Sequence, residues 1–195
     1  VKPMYCDIVH IVPCDGYVNN RRGHEPFGET DGDKYKSNNG FSKLGASKTP
    51  GYSGTVFEPN DIYKGDFARI YLYMATCYED KISSWSSPML AGNAYPAYKE
   101  WAVKLLLKWA EQDPVSEKET NRNNAAYKVQ SNRNPFVDYP GLEEYIWGDM
   151  QNVSFSYDNY QQPTSIITVN TPKTPRPVRV YTIGGTLVRT ADSAD

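Results

Sequence analysis

Apolar residues recur at helical spacing in two long stretches of the chain. In residues 64–80 they form one face, which predicts the central helix of the scaffold with its aromatic side chains in the core. Residues 97–112 are apolar on more than one side and predict a second, well-buried helix. Asp113, followed by proline, predicts the N-cap of a third helix that ends near Val129, and residues 141–147 predict a short fourth helix.

Short β-branched runs predict strands near both ends of the chain. Residues 6–12 predict a buried strand that ends at Pro13. Residues 165–169 and 178–183 predict two more strands, and the glycine pair after the second of them predicts a hairpin with residues 186–188. These C-terminal strands cannot bury a core alone.

The stretch between the first predicted strand and the central helix has little periodicity. Residues 28–52 are rich in Gly, Ser, Lys, Asn and Asp, which predicts a loop that wraps the surface. Contact of this loop with a substrate and a passive excursion both remain open.

Composition limits the class of protein without identifying it. The chain has 195 residues, enough for one sizeable core and a small second unit, and its hydrophobic fraction of 39% fits a loop-rich, polar protein. Its 16 tyrosines suit exposed and half-buried aromatic surface. The formal net charge of −2 argues against tight, nonspecific electrostatic attachment to nucleic acid. A nuclease stays open, because a bound cation can bridge protein and phosphate locally.

The cysteines and the apolar runs add two further bounds. Cys6, Cys14 and Cys77 have no metal-ligand spacing. One disulfide, from Cys14 or Cys6 to Cys77, and free buried thiols are both open. No apolar run is long enough to span a bilayer, and the printed sequence contains no signal peptide.

Side chains of the types that bind metals and phosphates or act in catalysis are densest in residues 7–27, which include both histidines. Residues 17–22 predict about two helical turns that end at Gly23. Asn19 and Arg22 would then lie one turn apart on one face. An amide oxygen suits a hard cation such as magnesium, and an arginine fork suits a phosphate, so the pair points to phosphodiester chemistry. The alternative is a solvated turn beside a satisfied core histidine.

The order D-x-x-H-x-x-P-x-D-G-x-V-N-x-x-R runs from Asp7 to Arg22. It resembles the second half of the active-site motif of the bacterial endonuclease I family, which are secreted or periplasmic nucleases of the His-Me finger (ββα-metal) type. The resemblance covers roughly Asp7 to Trp147 in the family's order. Its further matches are Phe57-Glu58-Pro59, Tyr63 to Arg69, Tyr73-Met74-Ala75-Thr76, Arg122-Asn123-Asn124 and Gln130 to Asp138.

The resemblance implies an α+β fold. We expect an endonuclease I-like His-Me finger (ββα-metal) domain, mainly helical with short strands, at residues 1–150, a linker at residues 151–163 and a partial β module at residues 164–195. The module's sequence VRVYTIGGTLVRT resembles the start of the C-terminal β-sandwich sorting tails on secreted proteins of Bacteroidetes-type bacteria. Both resemblances imply a secreted, periplasmic or cell-surface protein.

The family's reaction is metal-dependent hydrolysis of DNA, with RNA as a further candidate, so nucleic acid is the implied partner. A histidine activates water, and one divalent cation, magnesium first among the candidates, stabilises the pentacoordinate phosphate. In the family, a Glu-His pair upstream of the motif supplies the base and a metal ligand. Residues 1–6 contain no such pair, and we expect it to precede Val1 in a longer protein.

Among the residues present, the resemblance implies Asn19 as the metal ligand. Arg22, followed by Arg21, is the expected phosphate contact, and Arg133 is a further substrate-binding candidate. His10 is the catalytic candidate, expected to orient the site while the general base lies upstream. The alternative function is a catalytically inactive surface protein that binds nucleic acid or a partner.

Overall fold

The computed structural model describes residues 4–158, together with the backbone of residues 178–181 and 187–191. The chain divides into two compact units, residues 1–163 and residues 164–195. None of the helices in the described part of the chain is both long and apolar enough to cross a bilayer.

The first unit is α+β, as expected, with helices predominating over one small sheet. Its helices are α1 (Gly16–Arg22), α2 (Lys64–Cys77), α3 (Glu79–Ile82), α4 (Glu100–Gln112), α5 (Glu117–Gln130), α6 (Pro135–Asp138) and α7 (Leu142–Ile146). Its strands are β1 (Tyr35–Ser37), β2 (Ser42–Ala46) and β3 (Thr55–Glu58), and short 3₁₀ turns lie at Met4–Cys6, Asn38–Gly40 and Asp61–Tyr63.

Helix α2 lies at the centre of the first unit and packs along α4, which confirms both helices predicted from periodicity. Leu72 and Tyr73 of α2 and Leu106 and Trp109 of α4 are fully buried. Burial of such a side chain contributes about 1.5–3 kcal/mol, so this helix pair supplies much of the core. The short helix predicted at residues 141–147 is also confirmed, as α7.

The three strands form one antiparallel sheet in the order β1-β2-β3. Leu44 of β2 pairs with Phe57 of β3, and Phe27 joins Phe57 through an isolated bridge. All three side chains are buried. The sheet therefore presents its apolar side to the core and delivers residue 27, just beyond α1, to the same place.

The surface loop predicted for residues 28–52 is wrong, because β1 and β2 lie within it. At the buried turn between these strands, the hydroxyls of Ser37 and Ser42 hydrogen-bond each other at 2.6 Å. Ser42 also donates its backbone N–H to the Ser37 hydroxyl at 3.0 Å. Polar side chains thus take buried strand positions here, so no alternation of apolar residues marks the strands in the sequence.

The start of α5 also differs from the prediction. The N-cap is Ser116 and not Asp113, because Ser116 and Glu119 form a reciprocal capping box. The Asp113 carboxylate instead accepts the backbone N–H of Gly65 at 2.9 Å. The predicted end near Val129 is confirmed, since the helix ends at Gln130.

The second unit contains β4 (Val178–Tyr181) and β5 (Leu187–Ala191), paired antiparallel. This confirms a strand within predicted residues 178–183 and a hairpin partner after it. The predicted strand at residues 165–169 and the glycine pair at residues 184–185 lie outside the described residues.

Candidate active site

The segment that precedes α1 is not the strand predicted for residues 6–12. Its backbone carbonyls point to one side chain: Arg122 Nη2 donates to the oxygens of Ile8, Val9 and Ile11 at 3.0, 3.0 and 2.7 Å. In a strand, these carbonyls would need backbone N–H groups of a neighbouring strand. Here the Arg122 side chain supplies their hydrogen bonds instead. The β-branched residues in this stretch are therefore held in an irregular conformation, and burial lowers the pKa of Arg122. Among the described residues, no strand of a ββα finger precedes α1.

Asp7 anchors the start of the same segment. Its carboxylate accepts hydrogen bonds from the Val9 N–H and Gln130 Nε2 at 2.9 Å each. The hydroxyls of Tyr73 and Tyr78 donate to it at 2.7 and 2.8 Å. Burial alone would raise the pKa of Asp7, but the four hydrogen bonds outweigh it and lower the pKa below its usual value. Burial and the bond to this carboxylate raise the pKa of both tyrosines.

Helix α1 forms where punctuation residues predicted it. The Asp15 carboxylate caps its start by accepting the N–H groups of Tyr17 and Val18 at 2.9 and 3.0 Å. Gly23, at a φ of 59°, ends it. The helix therefore sits between the segment held by Arg122 and the strand-like bridge at Phe27, with a fixed orientation.

The two arginines of α1 have different surroundings. Arg22 is half-buried; its guanidinium carbon lies 4.1 Å from the centre of the Phe27 ring, and it makes long hydrogen bonds to the Glu25 carbonyl (3.4 Å) and the Tyr71 hydroxyl (3.3 Å). Within the described part of the chain, no carboxylate pairs with it. Arg21 is exposed and lies over the Tyr35 ring at 5.2 Å. Arg22 thus carries a positive charge with unused N–H donors.

A cavity of about 520 Å³ opens beside α1. His10, Asn19 and Arg22 line one part of it, so the structure brings together three of the residues predicted for the site. His10 Nδ1 is buried and has no hydrogen-bond partner among the described residues. The remaining wall is mainly apolar and includes six aromatic residues: Phe27, Phe57, Phe67, Tyr71, Trp85 and Tyr98.

This wall corrects the expectation that the aromatic residues of the central helix lie entirely in the core. Phe67, Tyr71 and Met74 are only half-buried, and they line the cavity. Periodicity identified the apolar face of the helix, but it did not separate positions that pack against protein from positions that face a cavity. Trp85, which follows α3, carried no pattern that would have predicted its place in the wall.

Arg133 lies apart from these residues and does not line the cavity. Its guanidinium binds both carboxylate oxygens of Asp138, at 2.7 and 2.6 Å, and donates to Asn124 Oδ1 at 2.9 Å. The hydrogen bonds that Arg133 donates to the Asp138 carboxylate raise the pKa of Arg133. Nearby, Asn123 and Asn134 bond each other through side chain and backbone. The amide-rich segment after α5 thus ties helices together in this structure.

The donor set around the cavity does not complete a divalent-cation site. Mg²⁺ prefers a set of oxygen ligands that usually includes carboxylates. In the described part of the chain, no group of three or more His, Cys, Asp and Glu residues is placed to hold a metal. Asn19 offers one neutral oxygen. The three cysteines are free and exposed, so neither the disulfide nor buried thiols are found.

The chain matches the family model described as Endonuclease I over residues 1–141, and it belongs to the endonuclease I family. This confirms the resemblance found in the motif. The chain is 37% identical over 155 residues to the extracellular ribonuclease of Bacillus amyloliquefaciens and 38% identical over 146 residues to that of Bacillus subtilis (strain 168). Each match covers 72% of this chain and 46% of the relative.

A further relative is the protein named endonuclease-1 of Buchnera aphidicola subsp. Baizongia pistaciae (strain Bp). It is 33% identical over 86 residues, which cover 44% of this chain and 29% of the relative. The chain thus spans about half the length, or less, of the curated relatives it matches.

Proposed function

We propose that the protein is a nuclease that hydrolyses phosphodiester bonds of DNA and of RNA, and that α1 with its cavity forms the substrate-binding side of the active site. The observation that carries the proposal is the convergence of His10, Asn19 and Arg22 on one cavity in a chain of the endonuclease I family. The relatives' names, two extracellular ribonucleases and one endonuclease, support a nuclease, RNA as a substrate and action outside the cell.

The proposed phosphate contact is Arg22. A guanidinium presents N–H donors in a planar fork that matches phosphate oxygens, and a charge without an acidic partner is free to make that contact. Arg21, one position earlier and exposed, is the second candidate. Arg133 would have to leave Asp138 to reach a phosphate, so we rank it third.

We assign Asn19 as a ligand of a divalent cation, magnesium first among the candidates. Its further ligands must come from outside the set of side chains described around the cavity, and phosphate oxygens are suitable. We assign His10 to orienting the site, because it lines the cavity beside Asn19 and Arg22.

The test is a cleavage assay with supercoiled plasmid and with structured RNA, each with magnesium or with chelator. In a chain that carries the upstream Glu-His pair expected for the family, we expect nicking that requires the metal. We expect Asn19→Ala to lower the initial rate at least about 10-fold, because changing even a partner of a metal ligand typically costs about 10- to 100-fold. Asn20→Ala is the matched control. Asn20 is exposed on the same helix and does not line the cavity, so its rate should equal that of the wild type.

A second candidate function is a protein that binds nucleic acid or another partner without cleaving it. The incomplete cation ligand set among the described residues favours it. Equal binding of nucleic acid with magnesium and with chelator, together with no nicking by a chain that carries the upstream Glu-His pair, would establish this alternative. Cleavage that survives both chelator and Asn19→Ala would instead overturn the assignment of Asn19 and the metal.

A further inference from the structure

We propose that the aromatic cavity beside α1 takes up one unpaired nucleobase of the substrate strand, so that the protein prefers single-stranded or locally unpaired nucleic acid. This inference rests on the proposed function, because it takes Arg22 as the contact to the phosphate next to that base. To the proposed function it adds a subsite for a base and a preference for unpaired over duplex nucleic acid.

The size of the cavity exceeds what a phosphate contact requires. A phosphate needs a few N–H donors at a surface, whereas this cavity has a volume of about 520 Å³. Cavities of roughly 300–1,000 Å³ with mostly apolar walls and a few polar groups are typical of small-molecule sites. The dimensions and lining therefore point to an organic group beside the phosphate.

The wall has the chemistry that recognises a flat aromatic ring. Three aromatic residues of the wall are half-buried, Phe67, Tyr71 and Trp85, whereas Phe27, Phe57 and Tyr98 are buried behind them. The buried Phe27 ring supports two of the three, because its centre lies 4.7 Å from that of Phe67 and 5.4 Å from that of Tyr71. Aromatic side chains stack on any base, because every base has a π face.

The polar groups of the cavity match the rest of a nucleotide. Arg22 supplies a positive charge for the phosphate, and no carboxylate of the described residues neutralises it. Ser86 is exposed and also lines the cavity, so it offers a polar side chain to the edge of a base. A purely apolar ligand would leave the arginine unused. A nucleotide uses both the charge and the rings.

The geometry of a duplex explains why the cavity should prefer single-stranded nucleic acid. In a duplex both faces of a base are covered by its neighbours and its edge is paired, so the ring must leave the stack before protein rings can contact it. Extrusion from a duplex costs a few kcal/mol, whereas a single strand offers its bases directly. The cavity therefore favours single strands, loops and mismatched positions.

The test compares strands with and without bases. Fluorescence anisotropy in calcium buffer measures binding of a short oligothymidylate, of an abasic strand with the same phosphates, and of a duplex. Wild-type protein should bind oligothymidylate at least about fivefold tighter than the abasic strand, the lower limit for one stacked base. The duplex should bind like the abasic strand.

A variant that fills the cavity tests whether the preference for strands with bases arises there. Ser86 is exposed and lines the cavity, so Ser86→Trp should abolish the preference for bases while binding to the abasic strand stays. Ser83→Trp is the control, because Ser83 is exposed and lies outside the lining. Should Ser86→Trp fail to fold, fluorescence of Trp85 provides a second measurement. Oligothymidylate, and not the abasic strand, should quench it relative to Trp85→Phe.

The outcomes separate this inference from the proposed function. Equal affinity for oligothymidylate and the abasic strand overturns the base subsite and leaves the phosphate site in place. A preference that persists in Ser86→Trp shows that bases bind elsewhere. Failure to bind any of the three nucleic acids contradicts the proposed function itself.

Discussion

Two arginines lie on opposite sides of helix α2 in opposite surroundings: Arg69, which belongs to α2, and Arg22, which belongs to α1. Behind the helix, the α2 residue Arg69 is 2% exposed, and its guanidinium donates twice to the Glu119 carboxylate at 2.7 Å. It also donates to the Asp113 carbonyl at 2.9 Å. In front of the helix, Arg22 has an aromatic ring, two long hydrogen bonds and, among the described residues, no carboxylate.

The difference between the two arginines separates the scaffold of the molecule from the part that is free to bind a ligand. A buried charge is tolerated only when a partner of opposite charge and hydrogen bonds compensate its desolvation, and Arg69 meets that condition. Arg22, at the edge of a cavity, keeps donors that the fold does not use. Donors that a fold does not use are expected at functional sites.

The largest effect is expected from breaking the scaffold pair. Glu119→Ala leaves the Arg69 guanidinium buried without its carboxylate and also removes half of the α5 capping box. We expect a loss of about 3–5 kcal/mol in the free energy of unfolding, measured by urea denaturation. Glu117→Ala is the control, because Glu117 is exposed in the same first turn and should cost about 0.5 kcal/mol or less. A loss below about 1 kcal/mol for Glu119→Ala would show that the pair is not a structural anchor.

The helices and the ion pair of Arg69 differ in how far the sequence could predict them. The helices α2 and α4 were predictable, because their periodic apolar residues record a local pattern. The partner of Arg69 was not. Asp66 lies one turn away, yet it pairs with Lys118, and the partner Glu119 is 50 positions along the chain. Strands β1 and β2 escaped prediction for another reason: they pair locally, but polar side chains such as Ser37 and Ser42 take their buried positions and leave no apolar alternation.

The candidate site also has parts that the sequence could predict and parts that it could not. The motif around α1 was visible, because its residues are close in sequence and their spacing carries chemistry. The segment before α1 looked like a strand, and only the tertiary contact to Arg122, more than 100 positions away, changed its conformation. The aromatic cavity could not be predicted either. Its wall comes from several elements, and an apolar pattern does not distinguish a core from a cavity.

An intermediate effect is expected at Asp7, which links scaffold and site. Asp7→Asn replaces a carboxylate that accepts four hydrogen bonds with an amide that has one acceptor oxygen. We expect a loss of about 1–3 kcal/mol at neutral pH. Because the folded pKa lies below that of the unfolded chain, the carboxylate stabilises the fold above about pH 4. That contribution is lost as the pH falls through the folded pKa.

The measurement is a series of urea denaturations between acidic and neutral pH. The difference in unfolding free energy between wild type and Asp7→Asn should shrink as the solution is acidified. Asp149→Asn, at an exposed position, should follow the wild-type profile. A difference that stays constant from neutral to acidic pH would show that the ionised carboxylate is not the source of the stability.

The smallest effect on stability, and the clearest effect on binding, is expected at the cavity arginine. Arg22→Gln should cost about 1 kcal/mol or less in unfolding free energy, because its two hydrogen bonds are long and its charge has no acidic partner among the described residues. It should weaken binding of single-stranded nucleic acid and reduce the slope of log affinity against log salt by about 0.7, the value for one phosphate contact. Arg21→Gln is the matched comparison, one position away and outside the cavity, and should change that slope less. Equal slopes for Arg22→Gln and the wild type would place the phosphate contact elsewhere, and the contrast between the two faces of α2 would then concern stability alone.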